Sequence, residues 1–200
     1  MTKKTKTIIT TILLIIAVVQ GPYFYYFPNS FEIIILPLSY LVAVYLTVYL
    51  LIKLIKYKST TTWYHIIGLS FAFLIGTIKY SFQITEQLDF KFRENERLEI
   101  VKQVMNGRLK PNDSINNELC HLPKITFLPI SSGNTIGIKK CNNGIVSVEF
   151  YTDIGFLDHY NAFLYTNDPV EIKDLDNKIA RKEKYIYINK LEDNWYRLDY

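Results

Sequence analysis

The stretch Gly144–Thr152, GIVSVEFYT, alternates Val146, Val148 and Phe150 with Ser147, Glu149 and Tyr151. A period of two sends successive side chains to opposite faces, so the stretch reads as a half-buried β-strand. Upstream, Thr135–Cys141 reads as its hairpin partner. Asn142, Asn143 and Gly144 supply the turn, because asparagine and glycine accept positive φ at low cost.

Working outward, Ile125–Leu128 reads as an earlier strand ended by Pro129, and Ala162–Thr166 as a later one. Tyr185–Lys190 and Trp195–Leu198 pair around Leu191 to Asn194 as a closing hairpin. Before the strands, residues 85–106 have helical spacing. Ile84, Leu88 and Phe92 recur every four residues, and Leu98, Val101 and Met105 continue with an offset near Glu94 to Glu96. Gly107 and Pro111 mark the stop. No helix alternates with the strands. The expected fold is therefore a small antiparallel sheet with one stalk helix packed on it, an α+β domain over residues 85–200.

Residues 1–84 have a different character. They carry seven lysines, no arginine and one acid, Glu32, whereas residues 85–200 hold 16 basic and 18 acidic residues. Three apolar stretches at about 8–27, 33–52 and 63–82 reach the length of about 20 residues that a bilayer crossing needs. The sequence thus predicts three transmembrane helices anchoring the outer domain, with Gln20, Gly21 and Pro22 interrupting the first. Gly68, Ala72 and Gly76 fall four apart on one face of the third, a helix-packing stripe that allows close backbone approach or homo-oligomerisation. Lys3, Lys4 and Lys6, with Lys53, Lys56 and Lys58, fix the orientation: basic short loops stay in the cytoplasm. The expectation is a multi-pass protein of the bacterial inner membrane, with its carboxyl-terminal domain periplasmic and lipid as one partner. Nucleic acid is not expected, since the excess positive charge sits beside the apolar spans.

Cys120 and Cys141 are the only cysteines. In an oxidising compartment they are expected to pair as a disulfide, closing a loop of about 20 residues and contributing roughly 3 kcal/mol. Cys120, His121, Cys141 and His159 lack the spacing of a compact zinc motif, so no metal is expected. Asp153, Asp158 and His159, around Gly155, form a polar cluster capable of acid–base work. A turn explains those residues more simply, because no nucleophile with a supporting base accompanies them. Asp168, Glu171, Asp174, Asp176 and Asn177 offer calcium-type ligands. Lys178 and Ile179 break the EF-hand pattern, which leaves a solvated acidic loop. Ser131, Ser132 and Gly133 form a turn without the G-x-S-x-G of a nucleophile elbow.

No cofactor is implied, and no catalytic residue is assigned. The reading is a non-catalytic domain that binds a protein in the envelope, as an immunity or accessory protein does, through its many tyrosines. The alternative is a pore-forming or effector component whose outer domain senses a signal. An enzyme stays open through Asp153, Asp158 or His159.

Overall fold

The structure, a computed structural model, describes residues 78–123, 128–142, 144–154, 160–181 and 187–200, with 15 separate positions between Ile8 and Lys56. The chain divides into two units, Met1–Gln87 and Leu88–Tyr200.

Among the described residues, no helix is long and apolar enough to cross a membrane. The long helix that is described, α1 (Ile78–Met105), carries ten charged residues in 28. Each charge near a bilayer centre costs about 2.5–3.5 kcal/mol, so this helix cannot span one. That finding corrects the expectation of three transmembrane helices. The multi-pass architecture, the inner-membrane location, the periplasmic placement and the pore-forming alternative fall with it, because each was derived from the spans. Most of the stretches 8–27, 33–52 and 63–82 lie outside the described residues, as do Gly68, Ala72 and Gly76. Within the first unit, Gly21 and Pro22, expected to interrupt the first stretch, are helical, whereas Gln20 lies outside the described residues.

The second unit is built on six described strands: β1 (Leu119–His121), β2 (Thr135–Asn142), β3 (Ile145–Ile154), β4 (Tyr160–Thr166), β5 (Tyr187–Glu192) and β6 (Trp195–Asp199). They lie in the order β1-β2-β3-β4-β6-β5, every neighbouring pair antiparallel. The β2–β3 hairpin closes through Gly144 at φ 79°, where a glycine avoids the Cβ penalty. A helix missed in the sequence, α2 (Pro169–Arg181), connects β4 to β5. The chain thereby reaches the far edge of the sheet before returning as β6 beside β4.

One helix lies on each face. Phe90, Val101 and Val104 of α1 pack with Ile136, Val148, Phe150, Phe163 and Trp195 on the first face. Leu175 of α2, with Ile172 and Ile179 beside it, packs on Leu164, Tyr196 and Leu198 on the second. β3 is therefore buried on both sides, and Ser147 and Glu149 are enclosed, in contrast to the half-buried strand expected.

The α1 face also differs from expectation. Leu88 and Phe92 point outward, Phe92 at 77% exposure, while Asp89, Arg93 and Arg97 turn inward. Arg97 pairs with Asp89, donates to its backbone carbonyl (3.1 Å) and to that of Ile130 (3.3 Å), and sits 4.8 Å from the Phe163 ring centre. Arg93 donates to the carbonyls of Pro129 (2.6 Å) and Leu128 (3.2 Å). The helix buries charge here because these guanidiniums satisfy loop carbonyls that apolar side chains would leave unpaired.

The acidic stretch after β4 is not a solvated loop. Asp168 caps α2, accepting from the Val170 amide at 3.0 Å, and Pro169 occupies the first turn, where its missing donor costs nothing. Glu171 accepts from the Thr166 hydroxyl at 2.7 Å and from Ser147, fastening the helix start to the sheet. Asp176 accepts from the Tyr196 hydroxyl at 3.1 Å.

The expected disulfide is absent. Cys120 is a free, fully buried thiol, and burial pushes its pKa up. The strand register gives the reason. Cys120 faces Ile136, whereas Cys141 faces Val146, five residues farther along β2 than Ile136. At about 3.3 Å per residue that offset is roughly 16 Å, against the ~7 Å limit for a bridge.

Candidate functional site

The sequence-derived polar cluster does not form a described site. Asp158 and His159 lie outside the described residues, and Asp153 is placed only by its backbone, opposite Asn161 at a bulge. Among the described residues, no three metal-ligating side chains converge. Strand alternation sends Cys120 into the core and His121 outward, so these neighbours do not share a ligand position.

Two other arrangements hold reactive groups. In the first, His121 bridges Asp113 (Nε2 to Oδ2, 2.7 Å) and Thr135 (Nδ1 to Oγ1, 2.9 Å). Asp113 also accepts from the amides of Asn116 and Ile115, and these bonds, ahead of His121, lower its pKa to about 2. The order Asp–His–Thr resembles a hydrolytic relay, but that chemistry needs free donors for an oxyanion. The neighbouring amides are spent: Asn134 donates to Ser131, Leu122 to Asn134, and Thr135 to Ser132. Asn112 meanwhile pairs with His121 through its side-chain amide, standing in for a strand along the outer side of β1. The group pins residues 112–121.

The second arrangement lies on the α2 face, over β2 and β3. Glu149 faces Gly137 of β2 and Leu164 of β4, and its side chain is 1% exposed. Lys139 brings its ammonium 2.7 Å from Oε1, and the Tyr160 hydroxyl lies 3.5 Å from Oε2. Tyr160 stacks on Tyr200 with ring centres 4.6 Å apart, and Tyr151 meets Tyr160 edge-on at 5.3 Å. The backbone holds the stack in place, since the Tyr200 amide donates to the Tyr160 carbonyl at 3.0 Å.

Gly137 makes room for this layer. A Cβ there would lie 2.6 Å from the Tyr151 hydroxyl and 3.4 Å from Glu149 Oε2. Gly137→Ala is expected to destabilise the domain by about 1–3 kcal/mol through overpacking. Adding Tyr151→Phe should recover part of that loss, a coupling that a double-mutant cycle in urea unfolding measures. Strict additivity of the two changes would show that the hydroxyl does not press on β2.

Burial pushes the Glu149 pKa up, and Lys139 pulls it partly back. Burial works against the Lys139 charge, but Glu149, Tyr200 and Tyr151 outweigh it and the net direction is up. Burial and then the Glu149 charge raise both Tyr151 and Tyr160. General acids and bases work best with pKa values near the ambient pH. Both tyrosines move away from it, which keeps their hydroxyls protonated at neutral pH.

Sequence reading missed this group because Glu149 and Tyr151 alternate with apolar residues as a solvent face does. Gly137 was the available signal, since a glycine inside a strand marks close approach by other groups. Separately, a cavity of about 480 Å³ beside α1 is lined by Ile100, Leu109, Leu122 and Ile130. Arg93 on its wall is already committed to Glu96 and two carbonyls.

The fold and site together define a six-stranded antiparallel sheet, covered by a helix on each face, with a tyrosine-and-carboxylate layer beside the second helix. Comparison with known protein families, with curated proteins and with solved structures finds no match.

Proposed function

We propose that residues 88–200 form a non-catalytic domain that holds a protein partner against the tyrosine layer of Tyr151, Tyr160 and Tyr200. The observation that carries this reading is the combination of three half-buried tyrosine rings, locked by mutual packing, around an internally paired carboxylate. Tyrosine contributes large contact area at low entropic cost, and pre-packed rings lose little freedom on binding. Burial raises the Tyr151 and Tyr160 pKa values, so both hydroxyls are present as donors at neutral pH.

The test is capture by the full chain. Tyr200→Ala removes one face of the stack, and at a hot spot it should cost about 2 kcal/mol, or roughly thirtyfold in affinity. The expected result is a partner retained by the unaltered chain and lost by Tyr200→Ala, measured at a temperature where thermal unfolding shows both chains folded. Equal retention by both chains, or no retained protein, would overturn the reading.

A further inference from the structure

Lys139 occupies an unusual position in β2. The register passes from Ile138 opposite Val148 to Lys140 opposite Ser147, leaving Lys139 as the extra residue of a bulge. Bulges re-aim single side chains and recur beside functional sites. This one aims an ammonium at Glu149 and places it 5.8 Å from the Tyr200 ring centre. The Lys139 side chain is 36% exposed, whereas Glu149 beneath it is 1% exposed. The ammonium lies close to Oε1 but off the direction of a good hydrogen bond. A buried carboxylate and an aromatic ring thus meet a cation that arrives from the surface on a flexible stem.

We infer that Glu149, Tyr160 and Tyr200 form a cation cage, filled by Lys139 in the free protein and taken over by an arginine side chain of the protein partner. A lysine from the partner would exchange one ammonium for another. A guanidinium offers two parallel donors to the carboxylate and a flat face to the rings, so it gains where lysine does not. The displaced Lys139 recovers its hydration at the surface. Residues 85–200, with 16 basic and 18 acidic residues, do not repel a basic ligand.

The inference rests on the protein-binding reading and is separable from it. Isothermal titration of the full chain with N-acetyl-arginine amide and with N-acetyl-lysine amide tests it directly. The arginine probe should bind saturably and more tightly than the lysine probe. Removing the internal competitor in Lys139→Met should tighten arginine binding, roughly tenfold if the cage stands open in about a tenth of molecules. Should Lys139→Met fail to fold, Lys139→Gln keeps a donor for Glu149 and serves the same comparison. Glu149→Gln, with its fold checked by thermal unfolding, should abolish binding. Absence of saturable binding, no gain from removing Lys139, or undiminished binding by Glu149→Gln would each overturn the cage. Partner capture that depends on Tyr200 but not on Glu149 would sink the cage alone and leave the protein-binding reading standing.

Discussion

Arg97→Ala is expected to cost the Leu88–Tyr200 unit about 3–5 kcal/mol, the range for removing one member of a buried ion pair. Both side chains of the Arg97–Asp89 pair are 1% exposed, so water cannot replace the missing partner. Alanine takes the Arg97 guanidinium from the Asp89 carboxylate, which keeps its longer 3.8 Å pair with Arg93, strips the Ile130 carbonyl of a donor and removes the guanidinium from above Phe163. Domains of this size hold only about 5–15 kcal/mol in total, so the loss should take from about a fifth of the stability to all of it. Asp89→Ala should be similarly damaging, for the converse reason. The paired change Asp89→Leu with Arg97→Met should recover only the charge part of the loss, because it removes both buried charges but leaves the Asp89 and Ile130 carbonyls without the Arg97 donor. Urea unfolding of the single and double variants measures this. A loss below about 1 kcal/mol for Arg97→Ala would mean the pair is solvated and contributes as weakly as a surface bridge.

The same residues show where the sequence was readable. The β2–β3 hairpin is found where alternation over Gly144–Thr152 and the Asn142–Gly144 turn predicted it, since a two-residue period and a glycine turn are local properties. Helix α1 is legible in the sequence as a helix, but which face turns inward is not. The spacing of Ile84, Leu88 and Phe92 looks like a core stripe, and only tertiary structure reveals the loop carbonyls that draw Arg93 and Arg97 inward instead. Helix α2 was hidden by its acidic composition, although Ile172, Leu175 and Ile179 carry helical spacing behind the Asp168–Pro169 start. Without a helix on the second sheet face, Glu149 reads as solvated, and a solvated carboxylate calls for no partner. The cysteine pairing failed for a related reason: two thiols in one small domain suggest a bridge, but register decides whether they can meet.

Trp195→Ala should be the other large loss, again about 3–5 kcal/mol. Trp195 is 2% exposed and joins three rings: Phe90 of α1 at 5.5 Å, Phe150 of β3 at 5.9 Å and Tyr165 of β4 at 5.2 Å. It is where the first helix, two central strands and the closing hairpin share one contact. Truncation leaves a cavity that these rigid aromatic neighbours cannot readily fill, so the cavity adds to the lost transfer free energy. Trp195→Phe should lose less, because an aromatic ring still occupies most of the space. The informative control is Phe92→Ala on the outward face of α1, where a substitution without buried contacts stays within about 0.5 kcal/mol. In denaturant unfolding, Trp195→Ala should shift the midpoint strongly while leaving the slope unchanged, and Phe92→Ala should shift neither. If Phe92→Ala proved as costly as Trp195→Ala, the helix would have to pack on the sheet through its Leu88–Phe92 face, and the inward placement of Arg93 and Arg97 would be wrong with it.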